Sequence, residues 1–312
     1  MYDPRALKSM RSARAISPST WKSNSSLPDD GGRQTGAIVF TTDLDGTLLD
    51  RAQKISVHDW QTLEALGEDG IMRVIATGRS LYSARRVLGP DAPIDYVVFS
   101  SGAGAVHWPT GEVVFGHAMD PQTVANATAE LRGQGCDFML QSLVPDTHKF
   151  AYSRSGHEPN PDFDRRIEIY SEHARPMAAG DEVGSASQFV IVCSEARGLE
   201  LVDHLRARLT DCHVVRTTSP LDGQSMWIEV FPSGVSKASG CAYLASQHNV
   251  ARTDVMGIGN DFNDLDLLAW VGHAFVVANS PQEMRDQYEV VASHQESGVS
   301  ESVRRWRARV GH

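Results

Sequence analysis

An α/β fold is predicted for this chain: a doubly wound parallel sheet interrupted by an inserted α+β module. Three observations predict it. Short apolar runs alternate with amphipathic helix-length segments near both ends of the chain, the signature of strand–helix–strand units. That rhythm breaks in the middle and then resumes. Polar clusters follow the apolar runs, at the sheet edge where open α/β sheets bind ligands.

The elements follow in order. "AIVF", Ala37 to Phe40, is a short buried strand. Acidic residues are poor strand formers, so Asp43 and Asp45 lie where the strand ends and the chain turns at Gly46. "SVHDWQTLEALGEDG" is a helix with Ser56 as N-cap and Val57, Trp60, Leu63 and Leu66 at helical spacing. Gly70 ends it, and "IMRVIAT" is the second strand. "RSLYSARRVLG" is a helix closed by Gly89 and Pro90, and "DYVVFSS" is the third strand.

"GAVHWPTGEVVFGH" then reads as a hairpin turning at Pro109-Thr110-Gly111. Through about Pro232 the chain mixes strands such as "SQFVIVCS" and "SMWIEVF" with the helix "ARGLELVDHLRARL". "SKASGCAYLASQHN" (helix), "DVMGIG" (strand), "FNDLDLLAWVG" (helix) and "HAFVVAN" (strand) restore the parallel rhythm. The expected organisation is an extension over 1–35, a core over 36–105 and 233–312, and an inserted module over 106–232.

With 312 residues, 41% hydrophobic and 22% charged, the composition is that of an ordinary globular protein. A formal charge of −10 disfavours nucleic-acid and anionic-membrane partners, and no apolar run approaches the ~20 residues that span a bilayer. Cys136, Cys193, Cys212 and Cys241 form no CxxC pair and read as buried free thiols in a reducing compartment. A cytoplasmic monomer or homodimer is the expectation. Residues 1–34, rich in Ser, Arg and Lys, read as a flexible extension, with an organelle transit peptide as the alternative.

Four polar clusters carry the chemistry: Asp43/Asp45, Thr77-Gly78-Arg79, Lys237, and "GNDFND" from Gly259 to Asp264. Carboxylates supply hard oxygen ligands for Mg²⁺, Thr and Gly donate hydrogen bonds, and Lys and Arg attract anions. Brought to one sheet edge they form a site for Mg²⁺ and a phosphate. An EF-hand is excluded, because position 12 of a loop begun at Asp43 is Lys54. "SGAGAV" is not a dinucleotide fingerprint, since His107 takes its third glycine position and a hairpin follows.

"DLDGTLLD", "ATGR", "GVSK" and "GNDFND", in this order and spacing, resemble the four motifs of the haloacid dehalogenase (HAD) superfamily of phosphatases. The insertion is similar to the cap of its Cof-type sugar-phosphatase branch, subfamily IIB, and "ESGVSESVRRW" to that branch's usual ending. The resemblance covers Gly36 to the C-terminus. It implies a Rossmann-like core, a Mg²⁺ cofactor and a small phosphorylated metabolite, a sugar or polyol phosphate, as substrate. It implies Asp43 as nucleophile forming an aspartyl-phosphate, Asp45 as acid and base, and Thr77, Gly78, Arg79 and Lys237 around the phosphate. For the metal it implies Asp43, the main-chain carbonyl of Asp45, and ligands among Asn260, Asp261 and Asp264. Of these, Asn260 stands where the branch usually has a ligating aspartate. Either its amide ligates as a neutral donor, or Asp261 swings in, or only the water shell of the ion is carboxylate-bound. Two other readings stay open: a phosphotransferase or mutase, and a non-catalytic phosphosugar-binding protein. In the module, Gln141, His148 and Trp227 are candidates for touching substrate.

Overall fold

A computed structural model describes residues 39–178 and 183–310, all within the unit Gly36–His312. The extension read over 1–35 lies outside the described residues. Along the first part of the core run β1 (Val39–Thr42), α1 (Val57–Glu68), β2 (Met72–Ala76), α2 (Leu81–Val87) and β3 (Tyr96–Phe99). The hairpin β4 (Gly104–His107) and β5 (Glu112–Gly116) follows. The inserted module holds α3 (Pro121–Gly133), β6 (Phe138–Gln141), β7 (Phe150–Ser153), α4 (Pro161–Ile169) and β8 (Ala174–Pro176). It ends with β9 (Gln188–Cys193), α5 (Glu195–Arg208), β10 (Cys212–Thr218) and β11 (Met226–Pro232). The core resumes with α6 (Lys237–Gln247), β12 (Val255–Gly259), α7 (Leu265–Trp270), β13 (His273–Val277), α8 (Gln282–Arg285), β14 (Glu289–Val291) and α9 (Gly298–Val310).

Among the described residues the core sheet runs β14-β13-β12-β1-β2-β3-β4-β5. It is parallel from β14 to β3 and antiparallel through the closing hairpin. Alternation with period two explains why both faces bury. Phe40, Ile75 and Met256 point to the layer of α1, α2 and α9, while Val39, Val74 and Val255 point to that of α6 and α7. Each such buried side chain contributes roughly 1.5–3 kcal/mol relative to exposure.

Two expectations need correction. The boundary at residue 106 falls inside β4, because β4 and β5 extend the core sheet rather than open the insertion. A hairpin directly following β3 completes its ladder at no loop-closure cost, so the module begins only after β5. Val57 is 71% exposed, although its spacing placed it on the buried face of α1. The first turn of α1 buries Asp59 instead, whose carboxylate accepts the Ser300 N–H and hydroxyl from α9.

The module is a second, largely antiparallel sheet ordered β10-β11-β9-β6-β7-β8. One face packs on α3 and α5 through Phe138, Phe189, Ile191 and Ile228. The other carries Met139, Val190 and Trp227 against Phe163 of α4, followed by polar residues toward the core. No helix among the described residues is long and apolar enough to cross a membrane. The cysteines are free; Cys136, Cys193 and Cys241 are buried and Cys212 is partly exposed.

Candidate active site

The site begins where β1 ends. The Asp43 N–H donates to the Ile258 carbonyl of β12, so the strand ladder fixes the main chain at Asp43. The side chain is buried. Its Oδ2 accepts the Thr47 hydroxyl at 3.1 Å and its Oδ1 lies 2.7 Å from Lys237 Nζ. Gly46, at φ +72°, makes the turn that a side chain would strain. Its carbonyl accepts the Asn279 amide, which pins the loop.

Lys237 enters from the start of α6. Ser236 caps that helix, its hydroxyl accepting the Ser239 N–H while its own N–H donates to Ser239 Oγ. Lys237 Nζ bridges Asp43 Oδ1 and Asp264 Oδ1, each at 2.7 Å, and touches Asn263 Oδ1 at 3.3 Å. Asp264 Oδ2 accepts the Asn260 and Asp261 N–H groups, so this carboxylate is fully engaged in holding its own loop and the lysine.

Burial alone would lower the Lys237 pKa, but Asp264 and Asp43 together raise it, so the ammonium is secure. Burial also pushes the Asp43 carboxyl up, against the pull of Lys237, with Asp264 and Asp45 adding to the rise. One ammonium faces two buried carboxylates here. The residual negative charge is what a cation would offset.

Thr77 and Arg79 come from the loop after β2. Thr77 is buried and its hydroxyl accepts the Arg79 N–H at 3.1 Å, which tightens the turn, while Ser80 rather than Thr77 caps α2. The Arg79 guanidinium binds both oxygens of Asp45, at 2.6 and 2.7 Å. The resemblance implied Arg79 beside the phosphate; in the structure its fork grips Asp45.

The fourth cluster splits. Gly46 has no Cβ, and one built there would lie 2.7 Å from Asn260 Nδ2, so the Asn260 amide stands directly against the Asp43–Gly46 loop. Asp261 turns the other way. Its Oδ2 accepts the Thr217 hydroxyl and Thr218 N–H of the module, and its Oδ1 accepts the Phe262 N–H. A carboxylate so supplied with donors gains nothing by facing Asp43 and Asp264. Asp264 is held by Lys237 and by the N–H groups of its own loop. Among the described residues no three His, Cys, Asp or Glu side chains form a cation site by themselves. An ion here would draw on Asp43, the Asn260 amide and a main-chain carbonyl. These are hard oxygen donors beside uncompensated negative charge, which fits Mg²⁺.

Several residues were missed from sequence. Thr47 and Asn263 carried a signal, the Thr two residues after Asp45 and the second Asn of "GNDFND", but Asn279 carried none. Ser100, Ser101 and Gly102 all have positive φ, at 47°, 50° and 106°, immediately after β3. This strained turn meets the module: Ser100 Oγ lies 2.8 Å from Thr147 Oγ1, and Ser101 Oγ donates to Glu229 Oε2 at 2.8 Å. Of the module candidates, Trp227 is buried, donates to Asp162 and is covered by Arg166. His148 stacks on Tyr82 of α2 with ring centroids 4.4 Å apart. Gln141 is buried at the end of β6.

Residues 40–303 match the family described as haloacid dehalogenase-like hydrolase. A 5-amino-6-(5-phospho-D-ribitylamino)uracil phosphatase of Bacillus subtilis is 22% identical over 290 residues, covering 83% of this chain and 94% of that protein. A HAD-superfamily phosphatase of Bacteroides thetaiotaomicron superposes with a TM-score of 0.68 at 20% identity, over 91% of this chain and 98% of that one. A HAD subclass IIB sugar phosphatase superposes at 0.67 and 18% identity, over 86% and 99%. At such identities the two structures share the fold.

Proposed function

The chain belongs to the haloacid dehalogenase-like hydrolases, and from that premise we propose that it is a Mg²⁺-dependent phosphomonoesterase of the Cof type. Its substrate is a small phosphorylated metabolite, a sugar or polyol phosphate. The observation that carries the reading is Lys237, buried between Asp43 and Asp264 at 2.7 Å from each, at the carboxyl end of β1.

An Asp43 oxygen attacks phosphorus in line with the ester oxygen. The phosphorus–ester bond breaks and an aspartyl-phosphate forms. Asp45 gives its proton to the departing alkoxide, then takes one from the water that cleaves the acyl phosphate and restores Asp43. Thr77, through its hydroxyl, and the Gly78 N–H bind phosphoryl oxygens, and Lys237 offsets their charge. Arg79 grips Asp45 between turnovers and presents its fork to the incoming phosphate. Asp43, Asn260 and the Asp45 carbonyl would hold Mg²⁺, which would supply positive charge to offset the repulsion of carboxylate and phosphate.

The test is phosphate release from a panel of sugar and polyol phosphates, with and without Mg²⁺, Asp43→Asn run in parallel. Metal-dependent release that vanishes in the variant supports the reading. Asn260 favours one rival, a protein that binds phosphosugars without cleaving them. Ligand binding with no release from any ester would select that rival.

A further inference from the structure

On the module face that carries Met139, Val190 and Trp227, the part toward the core is polar. Gln141 and Gln188 are directly opposite on β6 and β9, and both are buried. Gln188 Nε2 donates to Glu229 Oε1 at 3.2 Å, and Glu229, also buried, takes the core Ser101 hydroxyl on its other oxygen. Beside them Arg166 of α4 lays its guanidinium over Trp227 at 4.7 Å, Tyr170 at 5.1 Å and Phe150 at 5.7 Å. Phe150 is the cross-strand partner of Gln141, so the cluster is continuous.

Its polar capacity is not used up. Gln141 Nε2 and Oε1, Gln188 Oε1 and Arg166 Nε are all buried without a hydrogen-bond partner among the described residues. Orphan polar atoms are costly, and four around one patch call for a polar ligand. The patch adjoins the phosphate end of the site. Lys237 and Arg166 both pull on the Glu229 carboxyl, which burial pushes up, and Tyr170 stands within electrostatic reach of Arg79. Ser101, which holds Glu229, donates its N–H to the Thr77 carbonyl. The module joins the core through the segments after β5 and after β11, so it can tilt to admit a ligand between them.

We propose that Gln141, Gln188, Glu229 and Arg166 form a leaving-group subsite that reads the vicinal hydroxyls of a sugar or polyol phosphate. The inference rests on the phosphatase reading above and assigns its specificity to these four side chains. The unfilled atoms are both donors, on Arg166 and Gln141, and acceptors, on Gln141 and Gln188. A hydroxyl supplies both functions in one group, and adjacent hydroxyls supply them in pairs. An aliphatic or aryl leaving group would leave these atoms unpaired, and a site built this way discriminates against it.

The experiment compares glucose 6-phosphate, ribose 5-phosphate and sorbitol 6-phosphate with p-nitrophenyl phosphate as substrates for the unaltered protein, Gln141→Leu and Gln188→Leu. The same sugar phosphates are also titrated onto Asp43→Asn, with and without Gln188→Leu, and the shift in melting temperature is read. The expected result is that the kcat/KM ratio of the best sugar phosphate to the aryl ester falls about tenfold or more in each leucine variant, chiefly through KM. The melting shift on Asp43→Asn should shrink when Gln188→Leu is added. Leucine variants that melt like the parent yet keep both the ratio and the shift overturn the subsite. If no ester is hydrolysed but the shift persists and needs Gln188, the phosphatase reading fails and the subsite stands. If no ester is hydrolysed and no shift depends on Gln188, both fail.

Discussion

Asp261 accepts the Thr217 hydroxyl at 2.8 Å, and this bond ties the loop after β12 to β10, the edge strand of the inserted module. Arg216 lays its guanidinium over Phe262 at 3.9 Å beside it, and His213 Nε2 lies 3.3 Å from Asp266. The loop that holds Lys237 through Asp264 is therefore the loop on which the module rests. Removing the clasp with Asp261→Ala should loosen the module and raise KM about tenfold, the worth of one or two charge-assisted hydrogen bonds. The Mg²⁺ concentration giving half-maximal phosphate release should stay near that of the parent. A large rise in that concentration would show that Asp261 reaches the ion after all.

Asn260 makes the opposite prediction. Its amide already faces the Asp43–Gly46 loop, so Asn260→Asp adds a charged oxygen where a neutral one stands. Half-saturation by Mg²⁺ should fall by about tenfold, since ligand charge tunes affinity for hard cations. The rate at saturating Mg²⁺ should change little, because Asp43, Asp45, Thr77 and Lys237 are untouched. A rate gain of several orders of magnitude would mean that Asn260 cripples the natural protein.

Gly102 allows a close approach that no other residue would. Its φ is +106°, and a Cβ there would lie 2.1 Å from the Ser236 carbonyl oxygen, one residue before Lys237. Gly102→Ala should cost roughly 2 kcal/mol or more of stability, through backbone strain and the displaced helix start. Phosphate release should fall with it, because α6 carries Lys237 into the site. Gly133→Ala is the control: Gly133 is helical with open space around it, and urea titration should find that variant at least as stable as the parent.

His148 links stability to pH. Burial, with the nearby His173, holds its pKa down at about 4, against 6.5 for the ordinary imidazole. Tyr82 stacks on one face, His173 meets it edge-on, and Asp146 and Lys149 flank it with opposite effects. Between those two values the unfolded chain takes up a proton that the folded chain refuses, so stability falls as pH drops from about 6.5 towards 4. Urea midpoints taken at pH 7 and pH 5 should show the loss. His148→Gln, which cannot titrate, should lose less over the same interval; an equal loss would assign the effect to other groups.

Much of the core was legible in the sequence because its signals are local. Phe40, Ile75 and Met256 alternate with Val39, Val74 and Val255 along short strands, and period two needs no partner to be read. Ser56 caps α1 as expected, since a cap acts within three residues of itself. Inside the module the signals weakened: α3, β6, β7, α4, β8 and β10 went unread, most of them short elements whose apolar residues are spaced by their neighbours rather than by a clear period. The hairpin of β4 and β5 was read correctly as a hairpin and assigned to the wrong sheet, because pairing partners lie outside any local window.

The doubly wound core, the α+β insertion and the polar clusters at strand ends are all written in local signals of the chain. How those clusters divide follows from contacts between distant segments. Asp264 goes to Lys237, Asp45 to Arg79, Asn260 to the Asp43 loop, and Asp261 to the module. A carboxylate settles where donors are supplied, and here the donors come from residues as far as 194 positions away in sequence, Lys237 for Asp43. The same holds for Ser101 and Glu229, 128 positions apart, whose contact no spacing could announce.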